Sequence, residues 1–149
     1  MDILRRQLIG DFYESMLSMQ RLIGPSHDAF LRAHGLSGAQ AQLLYFLSQQ
    51  SPCAVKEVAS TMCTTSGAAT QLIEGLVKMG IIERSVGQQD RRYVDINLTA
   101  KGLAFFQRFK EAHLTHLAEL LKPLSNEELQ ASTRLKRKIS EAMLTDRGD

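Results

Sequence analysis

Two adjacent guanidinium groups lie within the stretch QQDRRYVDINLTAKG, which runs from Gln88 to Gly102. The residues from Gly87 to Asp90 are typical of a turn, so Arg91 and Arg92 are predicted at the tip of a β-hairpin. An arginine at such a tip can reach into the minor groove of DNA, where the electrostatic potential is most negative. Asp90 can hold the Arg92 guanidinium by a charge-assisted hydrogen bond and set its direction. A solvated turn with a surface ion pair explains the hairpin residues equally well.

A second candidate surface is the segment TTSGAATQLIEGLVKMG, which ends at Gly80. Thr65 is predicted to be the N-cap of a helix. The residues after it are small or hydroxyl-bearing, and apolar residues take up helical spacing only after them. Small side chains let a helix N-terminus approach phosphate, and hydroxyl and amide groups can bond to base edges or phosphates. The candidate contact residues are Thr65, Ser66, Gly67, Ala68, Thr70 and Gln71. Taken alone, the segment is better explained as an ordinary well-capped helix, and the hairpin that follows it reverses that preference.

The elements that must position these two segments are mostly helices. The first predicted helix runs from Ile3 to about Ile23 and continues from Asp28 to Gly35. Three helices follow, from Ser37 to about Gln50, from Val55 to Met62 and from Thr65 to Met79. Two strands, one from Ile81 and one from Val94 to Leu98, precede two last helices, Ala100 to about Leu121 and Ser125 to about Leu144. Pro25 disfavours helical geometry at Gly24, so the first helix is expected to be interrupted there. Capping boxes are predicted at Ser37–Gln40 and Ser125–Glu128. This order predicts a mainly α fold with a two-stranded β-hairpin wing, which is a winged helix-turn-helix with additional terminal helices.

The composition limits the function without deciding it. The chain has 149 residues with 18 Lys and Arg against 16 Asp and Glu, a net charge of +2, so any nucleic-acid binding must come from local charge. No apolar run long enough for a membrane span and no signal peptide pattern appear, which predicts a cytoplasmic protein. No G-x-S-x-G, P-loop or H-E-x-x-H motif is present, so neither an enzyme nor a cofactor is predicted.

Several motifs together resemble those of the MarR family of bacterial transcriptional regulators, and the resemblance covers essentially the whole chain. The motifs are Gly35-Leu36-Ser37-x-x-Gln40, Val55-Lys56-Glu57-Val58-Ala59, Thr65-Ser66-Gly67-Ala68-Ala69-Thr70-Gln71-Leu72, Leu76-x-x-x-Gly80-Ile81-Ile82-x-Arg84, and Asp90-Arg91-Arg92 with Leu98-Thr99-x-x-Gly102. The hairpin with the downstream Leu-Thr-x-x-Gly is the most specific of them. The sequence departs from the family at Gln71, where many members carry arginine.

The resemblance implies a homodimer that binds a pseudo-palindromic operator in double-stranded DNA. Residues 1–36 and 100–149 would form the helical dimerisation region, and residues 37–99 the DNA-binding lobe, within one continuous structural unit. The helix from Thr65 would enter the major groove, and Arg92, paired with Asp90, would enter the flanking minor groove. The implied function is a transcriptional regulator, a repressor released by an effector. The alternative is a helical protein-interaction module that uses a winged-helix fold without specific DNA binding.

Members of the family respond to small phenolic or lipophilic ligands, to oxidants or to metals, and the resemblance does not choose among them. The candidate wall residues of an effector site are Phe12, Met16, Met19 and Tyr45, with ordinary core packing as the favoured alternative. Cys63 is the candidate redox residue, and a buried inert cysteine is its favoured alternative. His113 and His116 are spaced i,i+3 without acidic or thiol partners at fixed spacing, so no metal site is predicted.

Overall fold

The computed structural model describes residues 1–145. The helices and strands are α1 (Ile3–Ala33), α2 (Gly38–Gln49), β1 (Cys53–Ala54), α3 (Val55–Thr61), α4 (Ser66–Lys78), β2 (Ile82–Val86), β3 (Val94–Leu98), α5 (Ala100–Leu121) and α6 (Asn126–Thr145). The chain divides into two compact units, one up to Ala112 and one from His113. The described residues contain no helix that is both long enough and apolar enough to cross a bilayer.

The first helix is continuous, and the predicted interruption at Gly24 and Pro25 is wrong. Helix α1 contains Pro25 inside its 31 residues. A proline here removes the amide that would have donated to the carbonyl of Arg21, and Arg21 is exposed, so water can bond to that carbonyl instead. The predicted stop is confirmed, because Gly35 has a φ of 73° and donates its amide to the carbonyl of Arg32 at 2.9 Å.

Local capping signals set where α2 and α3 begin. The predicted box at α2 is confirmed, because the Ser37 hydroxyl accepts from the Gln40 amide at 3.1 Å and the Gln40 side chain accepts from the Ser37 amide at 3.0 Å. Helix α3 begins after Ala54, which has no side-chain oxygen to cap with. The Glu57 carboxylate accepts from the Ala54 amide at 2.6 Å, which supplies the other half of such a box.

The hydrophobic core of the first unit forms where α2, α3 and α4 pack with the sheet. Its fully buried side chains include Leu43, Leu44, Leu47, Val58, Ile73, Leu76, Ile81, Ile82 and Ile96. Each helix contributes apolar residues at helical spacing to this core, so its opposite side is left for solvent or a partner.

The sheet has three strands, in the order β1-β3-β2, so the predicted two-stranded hairpin is incomplete. Strands β2 and β3 pair antiparallel from Ile82 opposite Leu98 to Val86 opposite Val94, and they form the predicted hairpin. The two-residue strand β1 adds to the other side of β3, with Cys53 opposite Ile96. A pairing of two residues leaves no periodic pattern in the sequence, and therefore the hairpin prediction missed it.

The Leu-Thr-x-x-Gly motif joins the sheet to α5. The Thr99 hydroxyl donates to the carbonyl of Gly80 at 2.7 Å and accepts from the amide of Gly102 at 2.9 Å. The Thr99 amide donates to the carbonyl of Ile81 at 3.0 Å. A side chain at position 102 would overlap the backbone carbonyl of Ile81, so only glycine allows this approach. The end of α4, the sheet and the start of α5 are thereby fixed to one another.

In the second unit, α6 begins at the predicted capping box. The Ser125 hydroxyl accepts from the Glu128 amide at 3.2 Å, and the Glu128 carboxylate accepts from the Ser125 amide at 2.8 Å. These hydrogen bonds lower the pKa of Glu128. None of the described α6 side chains is buried. The mainly helical winged helix-turn-helix predicted from the sequence is confirmed.

Candidate nucleic-acid interface

Helix α4 separates its residues into a buried and an exposed side. Ala69, Ile73 and Leu76 have no accessible surface and fix the helix against the core. Of the predicted contact residues, Ala68 is partly buried, whereas the others at the start of the helix are exposed. The exposed ones are Thr65, Ser66, Gly67, Thr70 and Gln71. The first two turns of α4 therefore present a surface of small and polar groups to solvent.

Two hydroxyl groups at the start of α4 serve the helix itself. The Thr65 hydroxyl accepts from the amide of Ala68 at 3.2 Å, which confirms the predicted N-cap. The Thr70 hydroxyl donates to the carbonyl of Ser66 at 2.8 Å. Because the first amides of a helix have no intrahelical acceptor, the amides of Ser66 and Gly67 remain directed at the approach to this surface. A phosphate is the kind of group that such an arrangement binds.

The two cysteines lie in different environments, Cys53 in β1 and Cys63 in the turn before α4. Cys63 has a φ of 51° and is exposed, so a buried inert residue, the favoured alternative from the sequence, is wrong for it. Cys53 is the buried cysteine. Burial raises the pKa of the Cys53 thiol to about 11, and the carboxylates of Glu57 and Asp95 add to the shift.

Backbone hydrogen bonds fix the loop that connects β2 and β3, which we call the wing loop (residues 87–93). The Gly87 amide donates to the carbonyl of Tyr93 at 2.8 Å, and the Tyr93 amide donates to the carbonyl of Asp90 at 3.1 Å. The Asp95 carboxylate accepts from the Gln88 amide at 3.0 Å. The loop therefore has a defined shape before any ligand arrives, which lets it aim a side chain.

Asp90 holds Arg92 at the tip of the wing loop, as the sequence predicts. The guanidinium donates to the Asp90 carboxylate through Nε at 3.1 Å and through a terminal nitrogen at 2.7 Å, and the Arg92 amide donates to the same carboxylate at 3.0 Å. The pKa of Asp90 is lowered by the Arg92 side chain first and by its backbone amide second. The Arg92 side chain is still 82% exposed, so the clamp orients it without covering it. Arg91 beside it is exposed as well.

Two further cations lie near this surface, and the sequence reasoning missed both. Lys56 of α3 lies 5.7 Å from the centre of the Tyr93 ring, and the Arg92 guanidinium lies 6.0 Å from it. Arg84 of β2 forms a 2.6 Å ion pair with Glu74 of α4. Lys56 and Arg84 stand within the motifs that resemble those of the family, but the sequence gives them no role. Their partners, Tyr93 and Glu74, are distant in sequence, so no local spacing reveals these contacts.

The structure does not gather the candidate effector residues into an enclosed site within one chain. Phe12, Met16, Met19 and Tyr45 are each more than half exposed. The Tyr45 ring packs edge-to-face on Phe106, with the ring centroids 6.1 Å apart. Ordinary core packing is therefore also wrong for these four side chains. Within residues 1–145, no three His, Cys, Asp or Glu side chains are grouped so that they could hold a metal ion.

Comparison with known proteins identifies this arrangement. A family model described as "MarR family" matches residues 36–94. The HTH-type transcriptional repressor MdtR of Bacillus subtilis is 26% identical over 140 residues, which cover 94% of this chain and 90% of that protein. The crystal structure of the YusO protein from Bacillus subtilis is 26% identical, with a TM-score of 0.69 over 92% of this chain and 97% of that one.

A more distant structure shows the same fold. AbsC, a MarR family transcriptional regulator from Streptomyces coelicolor, is 19% identical, with a TM-score of 0.77 over 94% of this chain and 95% of that one. The family, MdtR and AbsC are regulators of transcription and not enzymes, in agreement with the sequence prediction. The family model over residues 36–94, the relatives and the fold agree: the chain is similar to the MarR family of transcriptional regulators.

Proposed function

We propose that two copies of this chain bind a pseudo-palindromic operator in double-stranded DNA and repress transcription until an effector releases them. The proposed DNA contacts are Thr65, Ser66, Gly67, Ala68, Thr70, Gln71, Asp90, Arg91 and Arg92. The observation that carries the proposal is the Asp90–Arg92 clamp at the end of a fixed wing loop. A guanidinium that is oriented and still exposed is suited to a narrow, strongly negative groove.

The shape of α4 supports its insertion into the major groove. The helix is anchored through its buried side and presents small residues at its N-terminal end, so its backbone amides can approach phosphate closely. Under this proposal the wing Arg92 enters the flanking minor groove, with Asp90 setting its direction. Residues 37–99 then act as the DNA-binding lobe.

Exposed apolar side chains support dimerisation. Helix α1 exposes large apolar residues along most of its length, among them Leu4, Leu8, Phe12, Met16 and Met19. Helix α6 exposes Leu135, Ile139 and Met143 at four-residue steps. Exposed apolar residues along one helix mark a partner interface, and a two-fold dimer covers the same surface on both copies. We therefore assign residues 1–36 and 100–149 to dimerisation, with recognition helices about 34 Å apart, or a multiple of that distance, for successive major grooves.

The direction of regulation is proposed from the relatives. MdtR of Bacillus subtilis, which this chain matches over most of its length, is named a transcriptional repressor. The proposed effector site lies in the space that dimerisation closes over Phe12, Met16, Met19 and Tyr45, because these exposed side chains would become walls only when a second copy covers them. Cys63 is an additional proposed point of oxidant response, since it is exposed beside the start of α4.

The test is to recover bound DNA from a pool of genomic fragments and to measure its binding by wild type and Arg92→Ala over a salt series. Arg92→Ala is expected to weaken binding, and the slope of log affinity against log salt should become shallower by roughly one to two counterions, because each copy loses a cation. Arg108→Ala, which removes an exposed arginine from α5, is the matched control and should retain the wild-type slope. A wild-type protein that selects no fragment, or binds without a salt dependence, would contradict the proposal.

A further inference from the structure

The exposed side of α4 carries few side chains that can distinguish one base from another. The polar side chains of this helix are Ser66, Thr70, Gln71, Glu74 and Lys78. Reading a base edge requires a donor and acceptor pattern that fits one base and not the others. The side chains can therefore be compared by which hydrogen-bonding groups remain available.

Two of these side chains are occupied by partners within the protein. The Thr70 hydroxyl donates to the Ser66 carbonyl at 2.8 Å, one turn earlier in the same helix. The Glu74 carboxylate forms the 2.6 Å ion pair with Arg84 of β2, which ties it to the wing. The charge of Glu74 is thus compensated by Arg84, and its carboxylate already has a cation as its partner.

Two more of these side chains, Lys78 and Ser66, cannot select one base. Lys78 is in the last turn of α4, at the end opposite to the exposed N-terminal turns. The Ser66 hydroxyl is short and can either donate or accept, so it bonds to several bases without preference. Gln71 remains, with an exposed carboxamide that has a donor and an acceptor fixed side by side.

The position of Gln71 on the helix leaves its path open. Side chains of a helix lean toward the N-terminus, so the Gln71 side chain extends over the turn that contains Gly67. A Cβ atom placed at Gly67 would meet no heavy atom within 4 Å outside the neighbouring backbone of α4. The carboxamide can therefore extend over an unoccupied surface toward the end of α4 that approaches the groove first.

We propose that Gln71 determines operator specificity by selecting adenine at one position in each half-site. The carboxamide can donate to adenine N7 while its oxygen accepts from adenine N6, a paired contact that guanine cannot offer because it presents two acceptors. The inference rests on the proposed function, since it assigns a role within the same surface. Because Gln71 is uncharged, its contribution lies in sequence preference and not in the salt dependence of binding, which comes from the cations.

The experiment selects binding sites from a pool of randomised operators with wild type, Gln71→Ala, Gln71→Arg and the control Gln42→Ala, which removes an exposed glutamine of α2 that is not among the proposed contacts. Wild type should require adenine at one symmetric position. Gln71→Ala should lose that preference, on the order of 10-fold, with the salt slope unchanged. Gln71→Arg should prefer guanine at the same position, since arginine pairs with its two acceptors. Gln42→Ala should retain the preference for adenine. Circular dichroism and the thermal midpoint confirm that the exposed substitutions leave the fold intact.

Two results separate the failure of this inference from that of the proposed function. A wild type that selects a defined operator, together with Gln71→Ala that selects the same bases, would overturn the inference alone. The same holds if Gln71→Ala weakens binding equally for all sequences. A wild type without any sequence preference would overturn the proposed function and this inference with it.

Discussion

At the scale of single residues, the wing depends on the way that one carboxylate presents one guanidinium. Asp90 receives three donor groups from Arg92, which lower its pKa. A lowered pKa means that the paired state is fully present above the ordinary pKa of an aspartate and is lost only as the pH falls through the still lower value of the folded protein. The clamp is therefore intact throughout the neutral range.

The clamp can be tested by Asp90→Asn, which keeps the shape of the side chain and removes its charge. If charge alone decided affinity, the variant would bind DNA more tightly, because one negative group is lost. Under the proposed function we expect weaker binding, on the order of 3- to 10-fold, because Arg92 must then be ordered during binding. Titration of labelled operator by fluorescence anisotropy at about pH 6 and pH 8 measures this, and the wild-type clamp should contribute equally at both. Tighter binding by the variant would show that Asp90 has no positioning role.

The two cysteines differ enough to be separated by alkylation of the native protein at neutral pH. Cys53 is buried and its pKa is raised to about 11, so almost none of it is thiolate, whereas Cys63 is exposed. Because the thiolate is the nucleophile and must be reached, we expect Cys63 to react at least on the order of 10-fold faster. Peptide mass mapping after timed iodoacetamide treatment gives the two rates, and denatured protein is the control in which both react. Equal rates in the native protein would show that Cys53 is not protected.

At the scale of elements, the sequence predicts those helix starts and ends that depend on interactions within a few residues. The cap at Thr65, the box at Ser37–Gln40 and the stop at Gly35 are local, and the structure confirms each of them. Contacts between distant residues were not predictable, because strand β1 and the Glu74–Arg84 pair depend on how the chain folds back. The interruption expected at Pro25 failed for a different reason, since the neighbouring exposed carbonyl can bond to water.

The connection between sheet and α5 gives a prediction about stability. In Gly102→Ala the new methyl group would overlap the backbone carbonyl of Ile81, and backbone cannot yield as a flexible side chain does. We expect the free energy of unfolding to fall by about 1 to 3 kcal/mol, measured by urea denaturation. Gly67→Ala is the matched control, because its methyl group would meet no other heavy atom within 4 Å, and its effect should stay below about 1 kcal/mol. Equal effects of the two substitutions would contradict this account of the motif.

At the scale of the whole molecule, α1 has too little to pack against in one copy. Leu31 is the only buried residue among its 31 positions, although the helix carries apolar side chains at three- and four-residue steps. Helices in water are stabilised mainly by packing of such a face. Under the proposed function, a second copy that covers α1 would therefore supply stability as well as the two-fold arrangement that a pseudo-palindrome requires.

The dimer is tested by Leu8→Glu, which places a charge within the exposed apolar residues of α1. We expect wild type to sediment as a dimer at micromolar concentration and the variant to dissociate at least on the order of 10-fold more readily, because the charge would be buried at the interface. Gln7→Glu adds the same charge at a neighbouring exposed polar position and is the control. A monomeric wild type in analytical ultracentrifugation would contradict the dimer proposal. Equal dissociation of both variants would show that Leu8 does not lie in the interface.

The hydroxyl of Thr99 has a mechanical consequence. It donates to the carbonyl of Gly80, directly after α4, and at the same time caps the start of α5 by accepting from Gly102. The Thr99 amide donates to the carbonyl of Ile81, directly before β2. A tilt of α5 is therefore expected to move α4 and the wing together with it, as a single rigid arm. In that case an effector could not change the distance between α4, in the major groove, and the wing, in the minor groove, within one copy. Under the proposed function it can act only by changing the span between the arms of the two copies, which moves both α4 helices and both wings relative to the operator at the same time.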